Sequence, residues 1–179
     1  ACLYYTNPGT DVPYVELFIG ENMSVDLLRG VIPPVPTMVN EDGSFNAQGM
    51  GVLIDRLLAS DINGFLFLGS AGEFAQLSNA ARRDIAQFCV KRVAGRRPVI
   101  IGTASCSTAE VIELSVHASD IGADAVMVVN PYYSLLSEDR LYTHYRRIAE
   151  ASPLPVLLYN FPALTGQDLS VELVGRLAA

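Results

Sequence analysis

The sequence predicts an α/β fold made of repeated strand–helix units, and three observations carry that expectation. Short apolar runs at residues 31–36, 65–68, 99–101, 125–129 and 156–158 recur with room for one helix between neighbours. These runs are continuously apolar rather than alternating, as parallel strands are when both faces are covered. Between them lie stripes at helical spacing: Met50, Leu53, Ile54, Leu57 and Leu58; Ile85, Phe88, Cys89 and Val93; Val111, Leu114, Ala118 and Ile121; Leu141, Tyr145 and Ile148.

Taken in order, residues 1–28 resist assignment, because Pro8, Gly9, Pro13 and Gly20 interrupt any period. They are expected to be an N-terminal extension, with Met23 a candidate natural start. Residues 29–179 are expected to hold strands one to five and helices one to five. Ser78 and Ser137 are candidate N-caps of the second and fourth helices, and Ser107 with Glu110 forms a capping box for the third. A fifth helix is expected from about Ser170.

Periodicity alone leaves two architectures open. A doubly wound open sheet carries helices on both faces, whereas a barrel carries them all outside. A complete eight-unit barrel takes about 250 residues, and five units are visible. The expectation is of a chain cut short, with two unpaired sheet edges and a half-exposed core that invite association.

Composition narrows the function classes. Of the 179 residues 50% are hydrophobic and 17% charged, which suits one domain with a sizeable core. A net charge of -7 argues against a nucleic-acid partner. The local basic groups, Arg82 with Arg83 and those between Lys91 and Arg97, are expected to be solvated surface. Cys2, Cys89 and Cys106 fit no metal spacing and, being three, no disulfide framework. Cys89 falls on an apolar stripe and Cys106 follows a strand end. No run approaches the roughly 18 apolar residues of a membrane span, and no secretory signal is legible. A cytoplasmic protein without membrane or nucleic-acid partners is expected.

Polar chemistry clusters at the same end of each apolar run. After the second comes Gly69-Ser70-Ala71-Gly72-Glu73, after the third Gly102-Thr103-Ala104-Ser105, after the fourth Asn130-Pro131-Tyr132-Tyr133 and after the fifth Tyr159-Asn160-Phe161-Pro162. In a parallel barrel these converge on the rim that carries active sites. The two glycines after the second run let backbone amides face an anion, though the motif matches neither a dinucleotide fingerprint nor a Walker loop. Tyr159 can pass a proton if its phenol is matched by neighbours, and Ser70 can relay it. Tyr132 and Tyr133 fit an aromatic plug or a subunit contact equally. His117 and His144 fall inside predicted helices, and no His, Asp or Glu pair shows ligand spacing, so no metal site is expected.

In combination, and in this order, the three motifs Gly69–Glu73, Asn130–Tyr133 and Tyr159–Pro162 resemble the dihydrodipicolinate synthase and N-acetylneuraminate lyase superfamily from about Gly30 onward, helped by Ile32-Pro33-Pro34 and Asp42-Gly43. The resemblance implies a (β/α)8 TIM barrel, of which about five of eight βα units are present. It implies a class I aldolase or lyase that joins pyruvate, or another 2-oxo acid, to a lysine as a Schiff base, uses no cofactor, and makes or breaks a carbon–carbon bond with an aldehyde. Carried over, Tyr159 is the proton-transfer phenol and Ser70 the hydroxyl linking it to Tyr133, a tyrosine that many members insert from a neighbouring subunit. Gly69, Ser70 and Ala71 hold the pyruvyl carboxylate. A homo-oligomer is implied, a tetramer in the family.

The segment after Tyr159 discriminates among activities. Lysine-pathway synthases resemble a version with Arg where this chain has Leu164, and leucine cannot form that bidentate grip on a carboxylate. The Ala163-Leu164 form resembles sugar-acid lyases and aldolases, and Asn130 with Phe161 is most similar to 2-keto-3-deoxygluconate aldolases. The family's lysine ends a sixth strand, and the single lysine here is Lys91, on the second predicted helix. This chain alone is therefore expected to be inactive. Dihydrodipicolinate synthase, N-acetylneuraminate lyase and a non-catalytic partial barrel that binds small carboxylates are the alternatives.

Overall fold

The computed structural model describes residues 28–178 throughout, preceded by the backbone of three short strands. These are β1 (Leu3–Thr6), β2 (Pro13–Glu16), antiparallel to β1, and β3 (Phe18–Ile19). Cys2 and Met23 lie outside the described residues. The repeating part then runs α1 (Ala47–Leu58), β4 (Phe65–Phe67), α2 (Asn79–Val93), β5 (Val99–Gly102), α3 (Thr108–Asp120), β6 (Ala125–Val129), α4 (Glu138–Ala151), β7 (Val156–Tyr159), α5 (Pro162–Thr165) and α6 (Val171–Leu177).

Strands β4, β5, β6 and β7 pair in parallel and in sequential order. The order never reverses, so there is no switch point of the doubly wound kind, and right-handed crossovers put every intervening helix on one side. The two faces of the sheet differ accordingly. Phe65, Phe67, Ile101, Val126, Val128, Val156 and Leu158 face the helices, packing with Ile54, Ile85, Cys89, Val111, Tyr145 and Leu173. The alternate positions Ile100, Ala125, Met127 and Leu157 form a smaller inner cluster with Leu28, against which Ile32, Leu66 and Tyr159 pack. This is the curved wall of a barrel, with its interior on the side of the smaller cluster. Each fully buried Ile, Leu or Phe on the helix side contributes about 1.5–3 kcal/mol.

Two expectations about strands are corrected. Residues 31–36 do not form a full strand. They meet the sheet through one bridge, Pro34 to Leu66, with the Val35 amide donating to the Leu66 carbonyl at 2.8 Å and the Leu66 amide to the Pro33 carbonyl at 3.2 Å. Pro33, Pro34 and Pro36 lack the amide hydrogen that a longer ladder requires. Nor is the β7 edge unpaired. β3 pairs antiparallel with β7, Phe18 opposite Leu157 and Ile19 opposite Val156, so the sheet has five strands, one of them antiparallel.

The helices begin largely where their caps predict. The hydroxyls of Ser78, Ser107 and Ser170 accept from the amides of Ala81, Glu110 and Leu173. Ser137 occupies the N-cap position of α4 without a side-chain cap bond, and Glu138 and Asp139 supply the first-turn negative charge instead. The capping box at α3 is half formed, because the Glu110 carboxylate takes the Ser105 hydroxyl at 2.5 Å. The short helix α5 was not legible as such; it starts on Pro162 and stops at Gly166, whose φ is 68°. Among the described residues no helix is long and apolar enough to cross a membrane.

Arg82, read from the sequence as solvated surface, is buried, whereas Arg83 is half-buried and reaches Glu113 at 3.3 Å. Cys89 is core, and burial raises its thiol above the ordinary range. His144 is buried in α4, its Nδ1 2.8 Å from the Thr108 hydroxyl and its Nε2 without a hydrogen-bond partner. Burial lowers its pKa from 6.5 to about 4. The neutral ring is thus favoured in the fold, so the stability tied to it is complete above pH 6.5 and is lost as pH falls from 6.5 towards 4. That gap corresponds to about 3 kcal/mol. Urea denaturation of wild type and His144→Leu across pH 7 to 4 is expected to show the additional loss in wild type alone; parallel curves would contradict the assignment.

Candidate functional site

The rim at the C-terminal ends of β4 to β7 is built by sharp departures from the strands. Leu68 leaves β4 in the left-handed region with φ 57°. A 3-10 turn at Ser70–Gly72 follows, then Glu73 with φ 53°, then a second turn at Phe74–Gln76. The amides of Gly72 and Glu73 close the first turn onto the carbonyls of Gly69 and Ser70. Ser70 and Ala71, as its first residues, have no carbonyl within the turn to bond. The Thr37 hydroxyl donates to the Gly72 carbonyl at 2.7 Å and ties this turn to the chain before α1.

Gly102 is what allows the Leu68 conformation. A β-carbon at Gly102 would lie 2.0 Å from the Leu68 carbonyl oxygen. The β4 and β5 ends can therefore approach only if position 102 is glycine.

A cleft of about 320 Å³ opens on this rim, lined by Ser70, Glu73, Phe74 and Tyr132 on one side and by Phe161, Leu164 and Thr165 on the other. Tyr159 ends β7 opposite Val129 of β6. It alternates with Leu157 and so points to the inner face, packed on the inner cluster with its ring 5.5 Å from that of Phe161. Ser70 is half-buried and in the cleft, Gly69 is buried behind it and Ala71 is exposed. Tyr133 is 91% exposed and does not line the cleft. One chain therefore does not bring Tyr133 to Ser70; the aromatic from that loop that lines the cleft is Tyr132. The strand-end pattern left the two tyrosines equivalent and the resemblance chose Tyr133; in this chain it is Tyr132 that lines the cleft.

A polar clamp holds the β6 and β7 loops together. Asn130, buried, donates from Nδ2 to the Gln167 carbonyl at 2.9 Å and accepts at Oδ1 from the Tyr145 hydroxyl at 3.3 Å. The Gln167 side chain in turn accepts from the Leu136 amide at 3.0 Å and donates to the Leu136 carbonyl. Asn160 donates to Asp168 at 2.5 Å and accepts from the Leu169 amide at 3.2 Å. Buried amides satisfied on both ends fix loop geometry. Asn130 and Asn160 were visible at the strand ends; Gln167 and Asp168 carried no sequence signal.

Arg82, on the first turns of α2, was missed. It is 4% exposed, donates from Nη2 to the Gly102 carbonyl at 3.2 Å and lies 5.1 Å from the centre of the Phe74 ring. Burial lowers its pKa to about 10 against the opposing influence of Tyr132 and Glu110, so it is charged at neutral pH. Tyr132 packs edge-on to Phe74 at 5.8 Å, and burial together with Cys106 and Glu110 raises its phenol, while Arg82 acts to lower it. Cys106 is exposed. Among the described residues no group of three or more His, Cys, Asp or Glu side chains could hold a metal ion.

Comparison with known proteins places this geometry. Residues 27–179 match the model of the dihydrodipicolinate synthetase family. Over 152 residues the chain is 48% identical to the Escherichia coli K12 protein described as putative 2-dehydro-3-deoxy-D-gluconate aldolase YagE, covering 85% of this chain and 50% of that protein. It is 44% identical over 149 residues to the probable 2-dehydro-3-deoxy-D-pentonate aldolase YjhH of the same organism, covering 83% and 50%. The crystal structure of YagE in complex with pyruvate superposes with a TM-score of 0.83, covering 85% of this chain and 51% of that one. The chain thus spans about half the length of the relatives it matches. The four-strand parallel wall is part of the TIM barrel that the resemblance implied.

The turn that carries Ser70 has a direct test at its support. Gly102→Ala is expected to destabilise the fold by about 2–4 kcal/mol, since the added carbon displaces backbone rather than a flexible side chain. Denaturant unfolding at unchanged stability would show that the β4 and β5 ends are not held as described.

Proposed function

Since this chain belongs to the dihydrodipicolinate synthetase family, we propose that it supplies the substrate-binding rim of a class I aldolase that cleaves or forms a bond between pyruvate and an aldehyde, acting on 2-keto-3-deoxy sugar acids. The observation that carries the substrate class is Leu164, 61% exposed at the lip of the cleft. An alkyl chain there offers no fork of donors to a second carboxylate, and it leaves the cleft's far wall, with Phe161, apolar.

In this reading the turn at Gly69, Ser70 and Ala71 receives the carboxylate of pyruvate, with Ser70 contributing its hydroxyl. Tyr159, on the inner face at the end of β7, exchanges the proton of the aldehyde-derived oxygen when the carbon–carbon bond breaks or forms. Tyr133 acts from a second copy of the chain, which its exposure supports, in a cytoplasmic homo-oligomer. The imine lysine comes from outside these residues. Lys91 is exposed in the last turn of α2, among the helices outside the sheet and away from the rim. A division into an N-terminal extension and a partial barrel near residue 28 is supported by a family match that begins at residue 27, with β3 of the extension pairing onto β7.

The test is a chimaera that joins this chain to the half of YagE it does not match. It is expected to release pyruvate from 2-keto-3-deoxygluconate, and Tyr159→Phe to lower turnover by roughly 10²–10⁴. Equal turnover would remove Tyr159 from the chemistry. Leu164→Arg is expected to favour aspartate semialdehyde as the partner of pyruvate; a parent chimaera that condenses the two as well as the variant does would overturn the substrate assignment.

A further inference from the structure

A buried charge with an unmet donor is an expense that a fold avoids unless the charge acts on something nearby. Arg82 is such a group: its Nε has no hydrogen-bond partner, yet the side chain is almost wholly enclosed. Its contacts reach three of the four rim loops. Nη2 holds the carbonyl of Gly102 at the end of β5, the guanidinium covers the Phe74 ring from the β4 loop, and Phe74 packs edge-on against Tyr132 from the β6 loop. Phe74 and Tyr132 are both lining residues of the cleft, whereas Arg82 stands behind them.

We propose that Arg82 is a positioning residue for this cleft: it fixes the Phe74–Tyr132 wall and places a permanent positive charge behind it, close to the Tyr132 phenol and to a 2-oxo acid bound in the cleft. The proposal rests on reading the cleft as a 2-oxo acid site. Two features distinguish this from simple packing. A guanidinium flat on an aromatic face sets ring orientation as well as filling volume. A charge in a poorly solvated wall also acts over several ångströms, at an effective dielectric near 20 rather than that of water. The groups that face Tyr132 are Arg82 from α2, Cys106 from the loop after β5 and Glu110 from α3, and of these Arg82 alone favours the phenolate.

The experiment is an ultraviolet phenolate titration of the 179-residue chain, with the step missing in Tyr132→Phe assigned to Tyr132. Arg82→Gln keeps an amide donor towards Gly102 and removes the charge; Arg82→Met removes both; Arg82→Lys keeps the charge. The Tyr132 step is expected to move to higher pH in Arg82→Gln and Arg82→Met and to stay near its wild-type position in Arg82→Lys. An unmoved step in folded Arg82→Gln overturns the proposal, and should Arg82→Met fail to fold, Arg82→Gln decides alone. Pyruvate affinity, read by ligand-observed NMR, is expected to fall about tenfold in Arg82→Gln. An equal fall in Arg82→Lys, with no movement of the Tyr132 step, would also overturn it. If wild type binds no pyruvate, the reading of the cleft fails while the titration still judges what Arg82 does to Tyr132.

Discussion

Parallel pairing of four consecutive strands that are covered on both faces is the constraint from which the rest of this structure follows. With β4 to β7 in sequential order and their helices on one side, every strand ends at the same rim, and every loop after a strand must turn there. Side-chain direction at that rim is then set by alternation rather than by local preference. Tyr159 faces the barrel interior because Leu157 does, and Leu157 faces it because Val156 and Leu158 are needed against the helices. A one-residue slip of β7 would turn the phenol to the helix layer. The register between Val129 and Tyr159 thus positions the phenol at the end of β7 as firmly as it holds the sheet together.

Close approach at the rim is obtained through backbone conformations that most residues avoid. Leu68 and Glu73 both adopt positive φ, and Gly102 leaves room for the first of them. Left-handed non-glycine residues carry a penalty of roughly 1–2 kcal/mol each, and they persist here because the surrounding strands and the bond from Thr37 to Gly72 over-determine the turn. The same economy governs the polar groups beneath it. Asn130 and Asn160 satisfy their amides against the loop at residues 167–169, so the β6 and β7 loops are braced against one another. Arg82 and His144 depart from this, and Arg82 is a buried cation left partly unsatisfied next to the cleft.

Much of this was legible in the sequence because it depends on period and on strand-end chemistry. The apolar runs of β4 to β7 and the stripes of α1 to α4 are periodic signals, and the serine caps at residues 78, 107 and 170 are local ones. Gly69, Ser70 and Tyr159 were legible as strand-end residues, since position after a strand is itself readable. What was not legible depends on tertiary partners. Pro33, Pro34 and Pro36 keep an apolar run from becoming a strand, which hydrophobicity alone does not register. Arg82 reads as one half of a basic pair on a helix, and only the approach of Gly102, Phe74 and Tyr132 makes it a buried group. That Tyr132 lines the cleft is likewise a matter of burial, since the resemblance pointed only to Tyr133.

The central claim is that this rim receives a 2-oxo acid whose covalent partner lies beyond Lys91 and outside these residues. Intact-mass spectrometry after incubation with pyruvate and borohydride tests it most directly, applied in parallel to the 179-residue chain and to its chimaera with the unmatched half of YagE. The account predicts no adduct on the chain alone and one reduced pyruvyl group on the chimaera, carried by a lysine other than Lys91. A pyruvyl group trapped on Lys91, or none on either protein, would contradict it.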